Sequence, residues 1–260
     1  MIDNLKSIQN ENRMVEALRF LRPVSIDASL TRIGSKGDGG YVMVDSFDQP
    51  SNIYSFGVGG NSWWDMVMET KGYHVYMYDH TVDYIEKDGL PYEVPEGQNL
   101  FFNKIGIGNK TTNKLKTVQQ IIEDNEHQNK NDMILQCDIE GSEWEVFANI
   151  SQNTLSHFSQ ILLEFHTLHK GIDDDLFYEN MYNSFKNLTE QFIPFHVHGN
   201  NCSVPPFFTV KGKIVPTTLE VSFVNKNIVS ITKEIPTFPT ELDFPNRRNN
   251  PEIELGTFRW

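Results

Sequence analysis

The stretch NIYSFGVGGNSWWDMVMETKGYHVYMYD, residues 52–79, decides the fold class. It begins with a short apolar run at 52–56, continues with a glycine-rich turn and a helical pattern over 57–72, and ends with a second apolar run at 73–79. A strand, a helix and a second strand in this order are typical of two parallel strands joined by a right-handed crossover. The stretch therefore predicts the first unit of an α/β sheet.

The same alternation continues through most of the chain. Further strands are predicted at 99–108, 132–141, 159–166 and 192–199, and further helices at 116–125, 142–150 and 175–191. The apolar runs within 207–226 leave no room for a helix between them, so these residues should pair as antiparallel strands. We therefore expect a doubly wound, mainly parallel sheet with helices on both faces and an antiparallel strand at its end.

The sections on either side of this core have different patterns. Residues 4–21 have apolar side chains at helical spacing and are followed by Pro23, which predicts an N-terminal helix. Three glycines within 37–40 predict either a plain hairpin turn or a loop folded over a ligand. The tail 236–255 is rich in Pro and Asn and should wrap the surface without regular structure. We expect one domain over 1–260, made of an N-terminal section 1–50, a core 51–225 and a tail 226–260.

Composition excludes several classes of partner. The chain has 22 Lys and Arg against 35 Asp and Glu, a net charge of −13, which disfavours nucleic acid because binding to phosphates needs basic residues. No apolar run approaches the ~20 residues that span a bilayer, and the N-terminus lacks the apolar segment of a signal peptide. We therefore expect a cytoplasmic protein with no membrane partner, in which Cys137 and Cys202 are free thiols.

The ends of the first two predicted strands carry a glycine-rich turn and an acid. Glycines at Gly57, Gly59 and Gly60 allow the backbone to approach a ligand closely, although Ser62 stands where a GxGxxG turn has its third glycine. Asp79 follows Gly59 by 20 residues, the spacing of an acid that binds the hydroxyls of a ribose. Ligands bind at this edge of open α/β sheets.

The ends of the later strands carry acids and histidines. Asp138 follows the fourth strand, Glu164 and His166 end the fifth, and His198 ends the sixth. Imidazole titrates near neutrality, so His198 and His166 are the candidates for a general base, and we prefer His198. Glu220 lies in the last apolar run and should have a partner, because a buried carboxylate is costly without one.

Several segments resemble the class I S-adenosylmethionine-dependent methyltransferases, and more narrowly the FkbM-like and methyltransferase-like-24-like families. They include RIGSKGDGGYVM at 32–43, IYSFGVGG at 53–60, LQCDIEGSEWEVF at 135–147, HVHGNN at 196–201 and LDFPNRRNNPE at 242–252. The glycine turn departs from the family pattern, because Ser55 stands where an acid is common and Asn61 follows the last glycine.

The resemblance implies a Rossmann-like sheet of seven strands with the last one antiparallel. It implies an O-methyltransferase that uses S-adenosylmethionine on a hydroxyl of a small molecule, for which we expect a sugar or surface-glycan precursor in bacterial polysaccharide modification. By the same analogy, several residues contact the cofactor: Gly57 and Gly59 at its amino-acid part, Asp79 at the ribose, Ile105 and Gly106 beside the adenine, Asp138 at the methyl-transfer site, and Gly40 and Tyr41 beside the cofactor or as a lid.

Other interpretations stay open at this point. A divalent metal, Mg or Mn, would be held by Asp138, Glu164 and His198. The glycine turn and Asp79 alone also fit a nicotinamide-dependent oxidoreductase, which the antiparallel last strand disfavours. A non-catalytic module that binds S-adenosylmethionine is a third alternative. The aromatic tail residues Phe258 and Trp260 would dock on the domain or on a second copy in a homodimer.

Overall fold

The computed structural model describes residues 2–46, 51–87 and 89–260, so the section boundary predicted at residue 50 lies outside the described residues. The strands are β1 Leu30–Gly34, β2 Gly40–Val44, β3 Asn52–Phe56, β4 His74–Tyr78, β5 Ile85–Lys87, β6 Leu90–Tyr92, β7 Leu100–Asn103, β8 Gly106–Ile107, β9 Leu115–Lys116, β10 Met133–Cys137, β11 Phe158–Phe165, β12 Phe192–Asn200, β13 Phe207–Val210, β14 Lys213–Pro216 and β15 Thr218–Asn225. The helices are α1 Ile2–Leu18, α2 Trp63–Thr70, α3 Val118–Asp124, α4 Glu143–Asn149, α5 Gln152–Leu155 and α6 Asp175–Gln191, with 3₁₀ turns at Arg19–Leu21 and Leu168–Ile172.

A mixed sheet of seven strands forms the centre of the molecule. Its strand order is β12–β15–β11–β10–β3–β4–β7. The strands from β11 to β7 pair in parallel, whereas β15 runs antiparallel to both of its neighbours, β11 and β12. The expected α/β fold with a seven-stranded, Rossmann-like sheet and an antiparallel last strand is confirmed. Parallel neighbours place their carboxyl ends on one edge, where the candidate residues follow the strands.

The central strands are apolar on both faces because both faces are covered. Every residue of β3 and of β10 is buried. Since side chains alternate along a strand, Ile53 and Ile134 enter one hydrophobic core, whereas Tyr54 and Leu135 enter the other. The apolar runs in the sequence therefore predicted these two strands correctly.

The two faces are covered by different kinds of element. The larger core packs the sheet against α1, α3, α4 and α6. The opposite core contains Trp64 and Met68 of α2 together with Ile33, Tyr41 and Met43 of the β1–β2 hairpin. Helices were expected on both faces. On this second face the hairpin covers much of the sheet instead, because its apolar side chains point towards the sheet.

The tail after β15 folds back over the sheet without regular structure beyond isolated bridges. Phe238, Ile253 and Phe258 are buried and anchor the tail. The Pro- and Asn-rich composition predicted its irregular path. Cys137 and Cys202 are free thiols, as expected. None of the helices in the described ranges is long and apolar enough to cross a bilayer.

Candidate functional site

The glycine turn after β3 is in close contact with the end of β10. Gly57 has a φ of 78°, and a Cβ added to it would lie 1.5 Å from the carbonyl oxygen of Asp138. A side chain at this position is therefore excluded both by backbone conformation and by contact. The sequence predicted that Gly57 and Asp138 lie together, and the structure brings them together.

Asp79 follows β4 and holds the same turn in place. Its Oδ2 accepts a hydrogen bond of 2.9 Å from the backbone N–H of Gly59, and its Oδ1 accepts bonds of 2.7 Å and 2.6 Å from the backbone and hydroxyl of Thr81. Burial alone would raise the pKa of Asp79, but these hydrogen bonds outweigh it and lower the pKa. Asp79 is thus an ionised acceptor beside the turn, and its role at a ribose stays a prediction.

His166, at the end of β11, lies among four carboxylates. Its Nε2 lies 3.3 Å from Glu164, 3.5 Å from Glu140 and 3.6 Å from Asp138, and its Nδ1 lies 3.1 Å from Glu143. Burial by itself lowers the pKa of the ring, but the bonds to Glu143 and Glu164 outweigh it and raise the pKa to about 11. His166 is therefore an imidazolium at neutral pH and cannot take up a proton. This protonated state does not suit a general base, and the expected role of His166 as the base stays a prediction.

Asp138 and Glu164 are the carboxyl groups of this cluster that hold a proton most readily. Burial, and then the charge of Glu164, raise the pKa of Asp138 well above its usual range. Burial, and then the charge of Glu220, raise the pKa of Glu164 to about 7, although His166 acts in the opposite direction. Glu164 also accepts a bond of 2.9 Å from Asn200. A carboxyl group with a pKa near 7 suits proton transfer at neutral pH.

Strained backbone lies on both sides of the cluster. Glu140 has a φ of 55° and Thr167 a φ of 56°, and both are residues with a side chain, Thr167 being β-branched. Such conformations cost about 1–3 kcal/mol and concentrate at functional sites. They follow Asp138 and His166 by one or two residues, at the edge where the candidate side chains converge.

His198 is enclosed on both sides by carboxylates. Its Nδ1 donates to Glu220 at 2.9 Å, its Nε2 donates to Glu252 of the tail at 3.0 Å, and the residue is 1% exposed. Burial would lower its pKa, but these carboxylates outweigh burial and raise the pKa to about 10. Both ring nitrogens are therefore engaged in this arrangement, and the role of His198 as the base stays a prediction. The expected partner of Glu220 is His198 itself.

The turn of the β1–β2 hairpin lies over the glycine turn. The segment is therefore a hairpin, as in the first interpretation, and its turn lies at the candidate site, as in the second. The carbonyl oxygen of Asp38 accepts a bond of 3.1 Å from Asn61, and its Oδ1 accepts one of 3.1 Å from Asn246 of the tail. A Cβ on Gly39, whose φ is 74°, would lie 2.4 Å from the Asn61 amide nitrogen. The hairpin is thus held between the glycine turn and the tail.

A polar cavity of about 50 Å³ lies beneath this hairpin. Its lining residues come from the hairpin, the glycine turn, α2 and β10, and are Asp38, Gly39, Tyr41, Ser55, Gly57, Val58, Asn61, Trp64, Asp65, Gln136 and Asp138. Tyr41 lies beside the cavity, and its hydroxyl accepts a bond of 3.3 Å from Gln136. Gly40 is not among the lining residues, and a Cβ added to it would meet Ser35 and Arg32 of its own hairpin. The contact of Gly40 and Tyr41 with a cofactor stays a prediction.

Asp65 is a lining residue that the sequence analysis missed. It lies in the first turn of α2, is 3% exposed, and its Oδ1 accepts no hydrogen bond from any residue in the described part of the chain. The Oδ1 of Asp138 is also buried and accepts no hydrogen bond from the described residues. A signal was present: an acid in the middle of the apolar pattern WWDMVM has no evident solvent-facing role.

The predicted adenine residues lie apart from this cavity. Ile105 is half-buried against the larger core, and a Cβ on Gly106 would lie 2.4 Å from the His80 ring. A larger groove of about 360 Å³ begins nearby at Gly108 and runs between α3 and α4. The contact of Ile105 and Gly106 with a cofactor stays a prediction.

Two groups of side chains in the described part of the chain could hold a metal ion. Asp38, Glu164 and Glu220 each bring one oxygen within 4.8 Å of the others, and Asp138, Glu140 and His166 form a second set of the same size. The predicted set of Asp138, Glu164 and His198 is therefore divided between them, and His198 belongs to neither. Oxygen donors like those of the first group suit Mg²⁺ or Mn²⁺.

Comparison with known proteins gives distant structural likeness only. No protein-family model and no curated protein sequence matches the chain. Among solved structures, the chain is similar to a SAM-dependent methyltransferase from Agrobacterium tumefaciens, with 11% sequence identity and a TM-score of 0.37. The match covers 69% of this chain and 57% of that structure, so the chain matches little more than half of that protein's length.

Proposed function

We propose that this protein is an S-adenosylmethionine-dependent methyltransferase that acts on a hydroxyl group of a small molecule. The observation that carries the proposal is the polar cavity between Gly57 and Asp138, at the carboxyl edge of a sheet whose last strand is antiparallel. This edge is where open α/β sheets bind ligands. The cavity presents buried acceptor atoms, which suit a positively charged ligand.

The residues around the cavity fit such a cofactor in chemistry. Gly57 and Gly59 leave the backbone free to approach its amino-acid end, and Asp79 is an ionised acceptor beside them. When bound, the cofactor supplies a methyl group on a sulfonium centre, whose bonding electron pair stays on sulfur as the methyl leaves. Asp138 and Glu164 provide the negative environment of that centre.

The closed arrangement has room for only a small part of the cofactor. A cavity of about 50 Å³ is far below the ~300–1,000 Å³ of sites that hold a ligand of this size. We infer that the hairpin moves away from the glycine turn on binding, breaking the bond between Asn61 and Asp38. The same movement would exclude water when the hairpin returns.

We propose Glu164 as the group that accepts the proton of the substrate hydroxyl. Its pKa near 7 leaves much of it ionised at neutral pH, and Asn200 and His166 hold it in place. The Oδ1 of Asp138 lies 3.6 Å from the ring of His166 and accepts no hydrogen bond from the described residues, so it can orient the hydroxyl. A hydroxyl is a weak nucleophile, so loss of the base should cost ~10²–10⁴-fold in rate.

The acceptor that we propose is a carbohydrate hydroxyl. Two exposed polar residues, Asp38 and Asn61, line the cavity. Such groups accept or donate hydrogen bonds to neighbouring sugar hydroxyls. A phosphorylated acceptor would be repelled by the acids that line the cavity.

The test is formation of S-adenosylhomocysteine from S-adenosylmethionine with a panel of nucleotide sugars and glycosides. Glu164→Gln should lower turnover by at least about 100-fold while S-adenosylhomocysteine still binds. Glu145→Gln, an exposed acid on α4, serves as the control and should keep wild-type turnover. Full turnover by Glu164→Gln would remove Glu164 as the base, and binding without turnover on any acceptor would favour the non-catalytic alternative.

The second candidate is a metal-dependent version of the same reaction. It is favoured by the proximity of Asp38, Glu164 and Glu220, which could hold a divalent cation. A bound cation would acidify the hydroxyl directly. If turnover is lost after chelation and restored by Mg²⁺ or Mn²⁺, the cation takes this role. Unchanged turnover after chelation would leave Glu164 as the base.

A further inference from the structure

Asp65 is a buried carboxylate that the fold leaves without a counter-charge. It is 3% exposed, and within residues 2–46, 51–87 and 89–260 no cation pairs with it and its Oδ1 accepts no hydrogen bond. Burying a charge without a partner is among the costliest arrangements in a protein. Such a group calls for a partner that is not part of the chain.

The surroundings of Asp65 indicate what kind of partner would fit. It lines the same cavity as Gly57 and Asp138. Among the described residues, the buried indole N–H of Trp64, another lining residue, has no acceptor. Asp138 is not equally free, because its Oδ1 lies 3.6 Å from the ring of His166. The cavity thus has one free carboxylate acceptor, on Asp65, and one free donor, a set complementary to a group that carries an ammonium and a carboxylate.

With the hairpin closed, the size of the cavity limits which group of a ligand can lie beside Asp65. About 50 Å³ holds an ammonium-sized group and excludes a ring. A guanidinium would be larger and would need planar space, so a primary ammonium fits best.

The residue before the glycine turn carries no charge, so a carboxylate in the cavity on this side has to come from α2. In the resemblance described above, an acid commonly stands at the position of Ser55, one residue before the end of β3. Here Ser55 donates its hydroxyl to Gln136 at 3.0 Å and offers no charge. Asp65 reaches the same cavity from the first turn of α2.

We propose that Asp65 binds the α-ammonium group of the cofactor's amino-acid end, in place of the carboxylate that position 55 lacks. This inference rests on the proposed function, since it assigns one group of that cofactor. Burial also raises the pKa of Asp65 to about 7, as expected of a carboxylate whose partner is absent, even though Ser55 acts in the opposite direction.

The experiment is a double-mutant cycle measured by calorimetry. Wild type and Asp65→Asn are titrated with S-adenosylhomocysteine and with the same molecule carrying hydrogen in place of the α-amino group. Wild type should bind the complete ligand at least about tenfold more tightly than the deaminated one. Asp65→Asn should bind the two within about twofold of each other.

Asp27→Asn is the control, because it removes the same charge from an exposed position and should keep the wild-type preference. If Asp65→Asn keeps that preference as well, the inference is overturned while the proposed function stands. Equal affinity of wild type for the two ligands would also overturn it, without need of any variant. If wild type binds neither ligand, the proposed function and this inference fail together.

Discussion

At the scale of single residues, three aspartates at one sheet edge differ because of the donors around them. Asp79 accepts three hydrogen bonds and its pKa is lowered, whereas Asp65 and Asp138 each have a raised pKa and a buried oxygen that accepts no hydrogen bond from the described residues. The fold therefore satisfies the first carboxylate more fully than the other two, which are the candidates for new contacts to a ligand.

The stability of the protein should depend on pH through Asp65. Its pKa is about 7 in the folded protein and near 3.8 in the unfolded chain, so its stabilising contribution is complete below pH ~4 and is lost as the pH rises to 7. Asp65→Asn removes this dependence and should be more stable than wild type at pH 8, by up to about 4 kcal/mol. Urea unfolding at pH 5 and pH 8 measures it. Equal destabilisation of the variant at both pH values would contradict this account of the residue.

The sequence placed the titrating residues at the correct edge but could not show their partners. Strand ends are local features, so the positions of Asp138, Glu164 and His198 followed from apolar runs. The raised pKa of His198 depends in part on Glu252, which is 54 residues further along the chain. No local pattern shows that pairing, because it joins distant parts of the chain.

At the scale of elements, the β1–β2 hairpin is the element that our proposal links most directly to cofactor binding. It packs on the sheet through Tyr41 and Met43, and its turn contacts Asn61 of the glycine turn. A sequence pattern of glycines could not separate a plain hairpin from a ligand loop, because that distinction depends on what lies opposite. The short hairpin of β5 and β6 was not predicted, since Pro91 interrupts its apolar pattern.

Gly39→Ala should weaken S-adenosylhomocysteine binding. Its φ of 74° makes alanine cost about 1–2 kcal/mol of stability, and its Cβ would also collide with Asn61. Gly97→Ala is a matched control, because Gly97 has a φ of 89° with no atom within 4 Å of an added Cβ. Both variants should lose stability, Gly39→Ala more than Gly97→Ala because of the collision with Asn61, and only Gly39→Ala should change affinity. Equal affinity of both variants would mean that the hairpin contact has no part in binding.

At the scale of the whole molecule, the tail supplies hydrogen-bond partners to polar and charged side chains at the sheet edge that it covers. Glu252 pairs with His198, Asp243 lies 3.1 Å from His196, and Asn246 links Asp38 to Glu220. The composition of the tail predicted its irregular path over the surface. It did not predict these contacts, because each needs a partner from a distant strand.

Glu252→Gln should destabilise the protein by about 1.5–3 kcal/mol, because it removes a charged hydrogen bond to the buried imidazolium of His198. Glu254→Gln is the control, since Glu254 is exposed two residues away. Its free energy of unfolding in urea should match that of wild type. A similar loss in both variants would show that tail charge in general, and not the pair with His198, is responsible.

The most direct test of the account is a calorimetric titration of the unmodified protein with S-adenosylhomocysteine and, in parallel, with NAD. We expect one S-adenosylhomocysteine bound per chain, no heat with NAD, and an affinity that falls when Asp138 at the cavity is replaced by Ala. Binding of NAD alone, or S-adenosylhomocysteine binding that is indifferent to Asp138, would contradict the proposal that the Gly57–Asp138 cavity holds a methyl-donor cofactor.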